Sequence, residues 1–510
     1  MPPHPATVSA TGTASSSSPG AVREVTTSAH RALSGPSGPA LWRGTLGAAL
    51  LTVGGFGAGS LPVDGGPAAA VGLPGFTFGH GQVLALVLCW TGIALLVTSW
   101  LALGPRAVRG LLPARDAVWA TALWSVPLLP SVPLFSTDAW TYLSQGAMSA
   151  AGISPYEHGA EANPGPFTDE VWQDWRTTTA PYGPLHVLLM RGIVTVTGEN
   201  PSVGIIVLRM VVLAALAGLV ALVIALARRT GVDTGAAVWM GCASPLTIVH
   251  LVGGLHNEVF PLLACLLAVL LAVDGRAAGA GVTLGLAVAV KVNAVLVAPF
   301  LLWILLARRR RDPAVARPVA RALADTALAA VAAGAAFALT TLAAGLGVGW
   351  LGALSVSDRI INYLSVPTAV AHLVHAVTDS GLEDVLSVTR SVGAVLLACV
   401  LVVVWATHRR DTPTALRGIV LALVAFFLLN SVSWPWYYVW VAAFWFAARP
   451  GRRATTAAVA GTVFLILAIG PDGSTSLYSP VLAAAAVVAA LVTAWWWRRR
   501  LRTPSPERAS

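Results

Sequence analysis

Asp138, the run His256-Asn257-Glu258, and Lys291 interrupt a chain that is otherwise mostly hydrocarbon, and their types define a chemistry. Asp138 follows within four residues of the end of a long apolar run. It lies near the start of the segment Phe135–Gly183, a stretch of acids, aromatics and prolines. A carboxylate at the mouth of a membrane span, under an aqueous loop, is placed to accept a proton from a hydroxyl. An ammonium such as that of Lys291 holds a phosphate as a point charge. His256, Asn257 and Glu258 offer polar groups to hydroxyls or to the base. Together they suit chemistry on a lipid-linked substrate at a membrane surface.

Each residue also has a plainer reading. Ser-Thr-Asp before an aromatic-containing helix is a capping signal, and so is Asn257. A lysine near an interface snorkels its charge into water. The 32 Lys plus Arg of this chain, however, include one lysine only, and it lies within an apolar segment, which favours phosphate binding for Lys291. Arg209, about six residues inside a span near the same surface, is either a second phosphate ligand or structural. Arg359 belongs to a long outer loop beside Asp358 and is a weaker phosphate candidate. Aromatic residues of the first loop, Tyr142, Tyr156 and Tyr182 with Trp172 and Trp175, are platforms on which sugars can stack. Pro155 stiffens the turn that carries Tyr156 and His158. Trp436, in Ser433-Trp-Pro-Trp-Tyr-Tyr438, reads as an interfacial belt and also as a substrate contact. Trp495–Trp497 read as a belt on the opposite side. A metal centre is not expected, because one His and one Glu close in sequence do not readily converge on an ion and no other ligand spacing supports one.

The elements that must hold these residues are membrane helices. The chain is 56% hydrophobic and 11% charged over 510 residues, where soluble proteins carry about 25% charged residues. Repeated apolar runs of about twenty residues predict an all-α polytopic membrane protein with roughly 13–14 transmembrane helices. Candidate spans include 44–62, 82–103, 116–134, 203–227, 233–252, 436–449 and 480–497. The net charge of +10 comes from short arginine clusters between spans and does not imply nucleic acid. Alternating the spans puts every such cluster on the cytoplasmic side, with both termini. The loop 135–202 and the polar residues then face outward. Residues 1–40 read as a disordered cytoplasmic tail, 41–498 as the membrane domain and 499–510 as a second short tail. Gly183–Gly198 is too short to cross and reads as a helix lying at the outer interface. The four cysteines sit in apolar stretches without paired spacing, so neither disulfides nor zinc are expected.

Taken in order, F-S-x-D-x-x-x-Y with G-I-x-P-Y, A-P-Y-G-P-L, V-G-G-x-H-N, a late Lys in an Ala/Val span, and P-W-Y resemble a known family. This is the family of actinobacterial polyprenol-phosphate-mannose-dependent α-1,6-mannosyltransferases of the MptA/MptB type, within the GT-C glycosyltransferases. The resemblance covers roughly residues 80–480. It implies a GT-C-like fold and an extracytoplasmic active site. It also implies a polyprenyl-phosphate-mannose donor, a mannan or lipoglycan acceptor, an α-1,6 linkage made with inversion, and no cofactor, leaving any divalent-metal requirement open. On this resemblance Asp138 matches the catalytic acid of the first loop, His256 and Asn257 the H-N pair, and Lys291 the late basic residue. Glu258 departs from the pattern, which has Asp there. The alternatives are a GT-C transferase for another polyprenyl-phosphate sugar and, from another class, a lipid or sugar transporter or flippase. The latter fits less well, because the polar groups collect on one side and no internal repeat is evident.

Overall fold

A computed structural model describes residues 19–355, 360–378 and 380–502. Among these the regular structure is helical, apart from one isolated bridge between Ile469 and Thr475. The chain is an all-α polytopic membrane protein. Among the described residues seven helices are long and apolar enough to cross a membrane: Gly79–Val108, Pro201–Thr230, Val292–Arg310, Pro318–Ala344, Leu382–Thr407, Thr412–Leu429 and Pro480–Arg502.

Several other runs expected to cross are broken, and the breaks have local causes. The run 116–134 becomes a 12-residue helix, Ala114–Ser125, a 3-10 turn and then extended chain, because Pro127, Pro130 and Pro133 cannot continue the ladder. The run 233–252 becomes the 8-residue helix Thr234–Gly241 and, after Pro245, a π-helical segment Thr247–Gly253. The run 436–449 holds a helix of 7 residues, Tyr438–Phe444. Irregular backbone of this kind within apolar sequence is tolerated where protein covers it or a cavity needs it. Gly183–Gly198 forms the short helix Pro184–Thr197, packed on Asp138–Ala150; a Cβ at Gly146 would lie 2.5 Å from the Met190 carbonyl carbon.

Small residues bring the long helices together. Gly38–Ala58 lies along Gly79–Val108, where a Cβ on Gly47 would come within 2.7 Å of the Gly92 carbonyl oxygen. Two expectations change. Part of the segment read as a disordered tail is a helix, Pro19–Ser34, and Trp119 Nε1 donates to Ser28 Oγ at 3.2 Å. Trp497, read as belt, is fully buried and stacks on Trp239 at 5.8 Å, with its ring parallel.

Candidate active site

The site is assembled where irregular segments meet. The extended chain after Pro133 is pinned by Leu134 N–H donating to the Gly253 carbonyl (3.0 Å) and Phe135 N–H to the Pro471 carbonyl (2.7 Å). Phe135 takes φ +59°, and so does Leu255 on the facing segment. Left-handed backbone at two buried, bulky residues is costly and persists only where surrounding packing over-determines it. These two residues flank the polar cluster, one before Asp138 and one directly before His256.

Asp138 is the first residue of the helix Asp138–Ala150, but its carboxylate does not cap it. Ser136 Oγ accepts the Asp138 N–H (3.0 Å), and the carboxylate instead accepts from Tyr142 Oη at 3.2 Å. Its side chain remains 25% exposed, toward the cavity, with the neighbouring Nδ1 of His256 at 3.6 Å. Removal from water pushes the Asp138 carboxyl up to about 6; Glu258 adds to this, while Lys291 and the hydrogen bonds from Tyr142 and Ser136 oppose it. Burial holds His256 well below its ordinary range and therefore neutral. Its ring lies flat on Trp436, centroids 3.7 Å apart, and Trp436 stacks in turn on Trp434 at 4.9 Å.

Lys291 follows the helix Ala277–Val288 in extended conformation, just ahead of the 3-10 turn Val292–Val297. Its ammonium pairs with Glu258, donates to Asn257 Oδ1 at 3.4 Å, and sits over the rings of Tyr437 (4.8 Å) and Tyr182 (5.4 Å). Asn257 Nδ2 contacts His186 Nδ1 at 3.3 Å, so Asn257 braces the lysine and caps no helix. Among the described residues no group of three or more His, Cys, Asp or Glu side chains is placed to hold a metal ion.

Asp138 and Lys291 line one cavity of about 470 Å³, within the usual range for small-molecule sites. Tyr182 and Trp436 line it too, among the residues expected from sequence. Tyr142, His256, Asn257 and Glu258 stand behind the lining residues and contact them. Tyr156 does not reach the cavity: it is buried with Val187 and Trp350, where it packs the first loop. Arg359 lies outside the described residues. Sequence reasoning did not single out Asn430, Gln145, Trp434 or Tyr437 as ligands. Trp434 and Tyr437 were visible as aromatic residues near a boundary, but belt and binding site have the same composition. The lining mixes polar side chains, among them Thr141, Gln145 and Asn430, with apolar ones such as Phe426 and Val432.

Arg209, expected as a possible phosphate ligand, does not line the cavity. Its guanidinium is fully buried and donates to the carbonyls of Leu129 (3.0 Å), Ser131, Val132 (3.3 Å), Val252 (3.2 Å) and Gly253 (3.5 Å). These carbonyls belong to the two irregular segments that carry Asp138 and His256, and arginine's donors fasten one to the other. Replacing Arg209 by Met is expected to cost on the order of 3 kcal/mol or more, since several buried carbonyls lose their donor. A lower melting temperature of the purified protein checks this. Normal stability with impaired donor binding would instead return Arg209 to the ligand set.

Residues 41–307 match the family described as alpha-(1->6)-mannopyranosyltransferase, N-terminal domain, and residues 366–499 match the MptB C-terminal domain. Alpha-(1->6)-mannopyranosyltransferase A of Mycobacterium tuberculosis is 37% identical over 450 residues, 87% of either chain. The protein of the same name from Corynebacterium glutamicum is 32% identical over 455 residues, 85% of this chain and 93% of its own. Alpha-(1->6)-mannopyranosyltransferase B of the latter organism is 28% identical over 437 residues, 78% of this chain and 71% of its own. Matched in both halves and along most of its length, the chain belongs to the alpha-(1->6)-mannopyranosyltransferase family of membrane glycosyltransferases.

Proposed function

We propose that this protein moves mannose from a polyprenyl-phosphate-mannose donor to a mannan or lipoglycan acceptor, forming an α-1,6 linkage with inversion at the outer face of the membrane. The observation that carries the reading is the sharing of one cavity by a carboxylate poised to titrate near neutrality and a lysine ammonium. The relatives' names support the sugar and the linkage.

In this mechanism the acceptor's primary hydroxyl attacks the anomeric carbon as Asp138 takes its proton. The bond from that carbon to the phosphate oxygen breaks, and its electron pair stays on the departing polyprenyl phosphate. The phosphate gains one negative charge in the step, and a fixed cation is worth most where charge develops. Lys291 supplies that cation. Its pairing with Glu258 keeps the ammonium in place before the donor arrives. The aromatic residues around the cavity offer faces to sugar rings, and apolar lining residues such as Phe426 and Val432 suit the first units of a prenyl chain.

The outer-face assignment rests on charge. The helix Pro201–Thr230 has Arg209 beside the site and Arg228 and Arg229 in its last turn. At 1.5 Å per residue these ends are separated by roughly 30 Å, about the thickness of the hydrocarbon core. Arg229 pairs there with Asp274, and Arg449 donates to the Thr230 carbonyl, so basic clusters gather at the end remote from Asp138. The positive-inside preference then supports a cavity that opens at the outer face.

Purified protein in vesicles tests the reading. Labelled polyprenyl-phosphate mannose and a short α-1,6-mannoside should give an elongated product carrying a new α-1,6 bond, while GDP-mannose gives none. Transfer from the nucleotide sugar, or retention of the donor's anomeric configuration, would overturn it.

A further inference from the structure

Several basic residues outside the cavity are answered by partners. Arg229 pairs with Asp274 at 3.1 Å, and Arg309 and Arg321 share Asp325. Arg417 donates to the carbonyls of Ala448 and Arg449 at 3.3 Å each. Four arginines converge on one cavity. Arg452 and Arg453 open the helix Arg452–Leu467, and Arg498 and Arg502 lie one turn apart at the end of Pro480–Arg502. With Thr456 and Leu501 they line a cavity of about 560 Å³ that has no acidic residue in its walls. Among the described residues none of the four has an ion-pair partner.

Gathering four like charges without a counter-charge is unfavourable. Arg452 and Arg453 add to the cost, because the first turn of a helix already disfavours cations. The two intervening arginines are engaged elsewhere: Arg499 stacks over Trp495 at 3.9 Å and Arg500 over Trp496 at 5.4 Å. These tryptophans set the level of the cavity, since partly exposed indoles accumulate where headgroups meet hydrocarbon. Below them the helix presents exposed Val488, Leu491 and Val492, and little of its apolar surface is covered by protein.

We propose that this cavity binds an anionic phospholipid whose headgroup carries two phosphates, with acyl chains running along Val488, Leu491 and Val492. A guanidinium fork fits a phosphate bidentately, and four forks match two phosphodiesters better than one. Basic pockets between membrane helices recognise such headgroups. The site lies at the end of the molecule remote from Asp138 and does not depend on the transfer reaction.

Native mass spectrometry of the full-length protein in detergent, titrated with cardiolipin, phosphatidylglycerol or inorganic phosphate, tests this. One cardiolipin per chain should be retained in preference to the other two. Arg452→Gln/Arg498→Gln should weaken its binding by roughly 10-fold or more. Arg409→Gln/Arg410→Gln removes equal charge from another exposed cluster and should leave binding nearly unchanged. Where the first double variant fails to accumulate, Arg452→Lys/Arg498→Lys keeps the charge and should still weaken retention through loss of the fork geometry. Equal loss in both glutamine pairs would mean diffuse attraction only. Equal retention of phosphatidylglycerol or free phosphate, or undiminished binding in the lysine pair, would likewise overturn the site.

Discussion

Replacing Asp138 by Asn should leave the protein folded in the membrane and lower mannosyl transfer by about 10²–10⁴-fold, the scale on which general-base loss is felt. Folding is spared because the Asp138 carboxylate caps no helix and holds no structural ion pair. Its contacts are Tyr142 Oη at 3.2 Å and the His256 ring nitrogen at 3.6 Å, and Asn retains an oxygen for the tyrosine. The pH dependence carries a sign. The base is the carboxylate form, and burial raises its pKa to about 6. Wild-type kcat/KM should therefore rise about tenfold per pH unit below that value and level off above it. Tyr142→Phe removes a hydrogen bond that favours the charged form, so the break should move upward. Labelled-donor assays between roughly pH 5 and 8 check both statements. Wild-type turnover in Asp138→Asn would remove the carboxylate from the reaction, and a profile without a break near 6 would remove it as the titrating group.

The reasons these residues could be found differ from residue to residue. Asp138 and Lys291 were legible because each breaks a local rule: an acid at the mouth of a span, and a solitary lysine in an apolar run. Their meeting in one cavity was not legible, since 153 residues of chain separate them and no periodicity encodes a crossing between irregular segments. Arg209 shows the opposite limit. A cation in a span signals a partner, but sequence cannot say whether that partner is a ligand or five carbonyls. Tyr156 and Trp436 are alike in composition and setting, yet one packs against Trp350 and the other shelves His256. The membrane class was plain from hydropathy. Where the apolar runs break was not, because hydropathy is blind to Pro127, Pro245 and the π-helical turn that convert apolar sequence into site-bearing backbone.

Lys291→Met should reduce transfer by about 10²-fold or more, the scale for losing one electrostatic stabiliser of developing charge. Its interpretation needs a partner variant, because Lys291 is paired with Glu258 and its removal strands a fully buried carboxylate. An uncompensated buried charge is strongly destabilising in itself. It would also act on Asp138, whose pKa Lys291 lowers and Glu258 raises, so the break in the pH profile should move up. Glu258→Gln/Lys291→Met removes both charges and relieves that penalty. The double variant should accumulate like wild type and still transfer poorly, since the phosphate leaving group has lost its cation. Lys291→Arg should retain part of the activity, its charge kept but its planar fork poorly suited to the gap between Tyr182 and Tyr437. Measuring protein in the membrane alongside donor turnover separates the two roles. If the double variant regains wild-type transfer, Lys291 serves only to neutralise Glu258 and the anion-holding part of the mechanism fails, while the role of Asp138 stands independently.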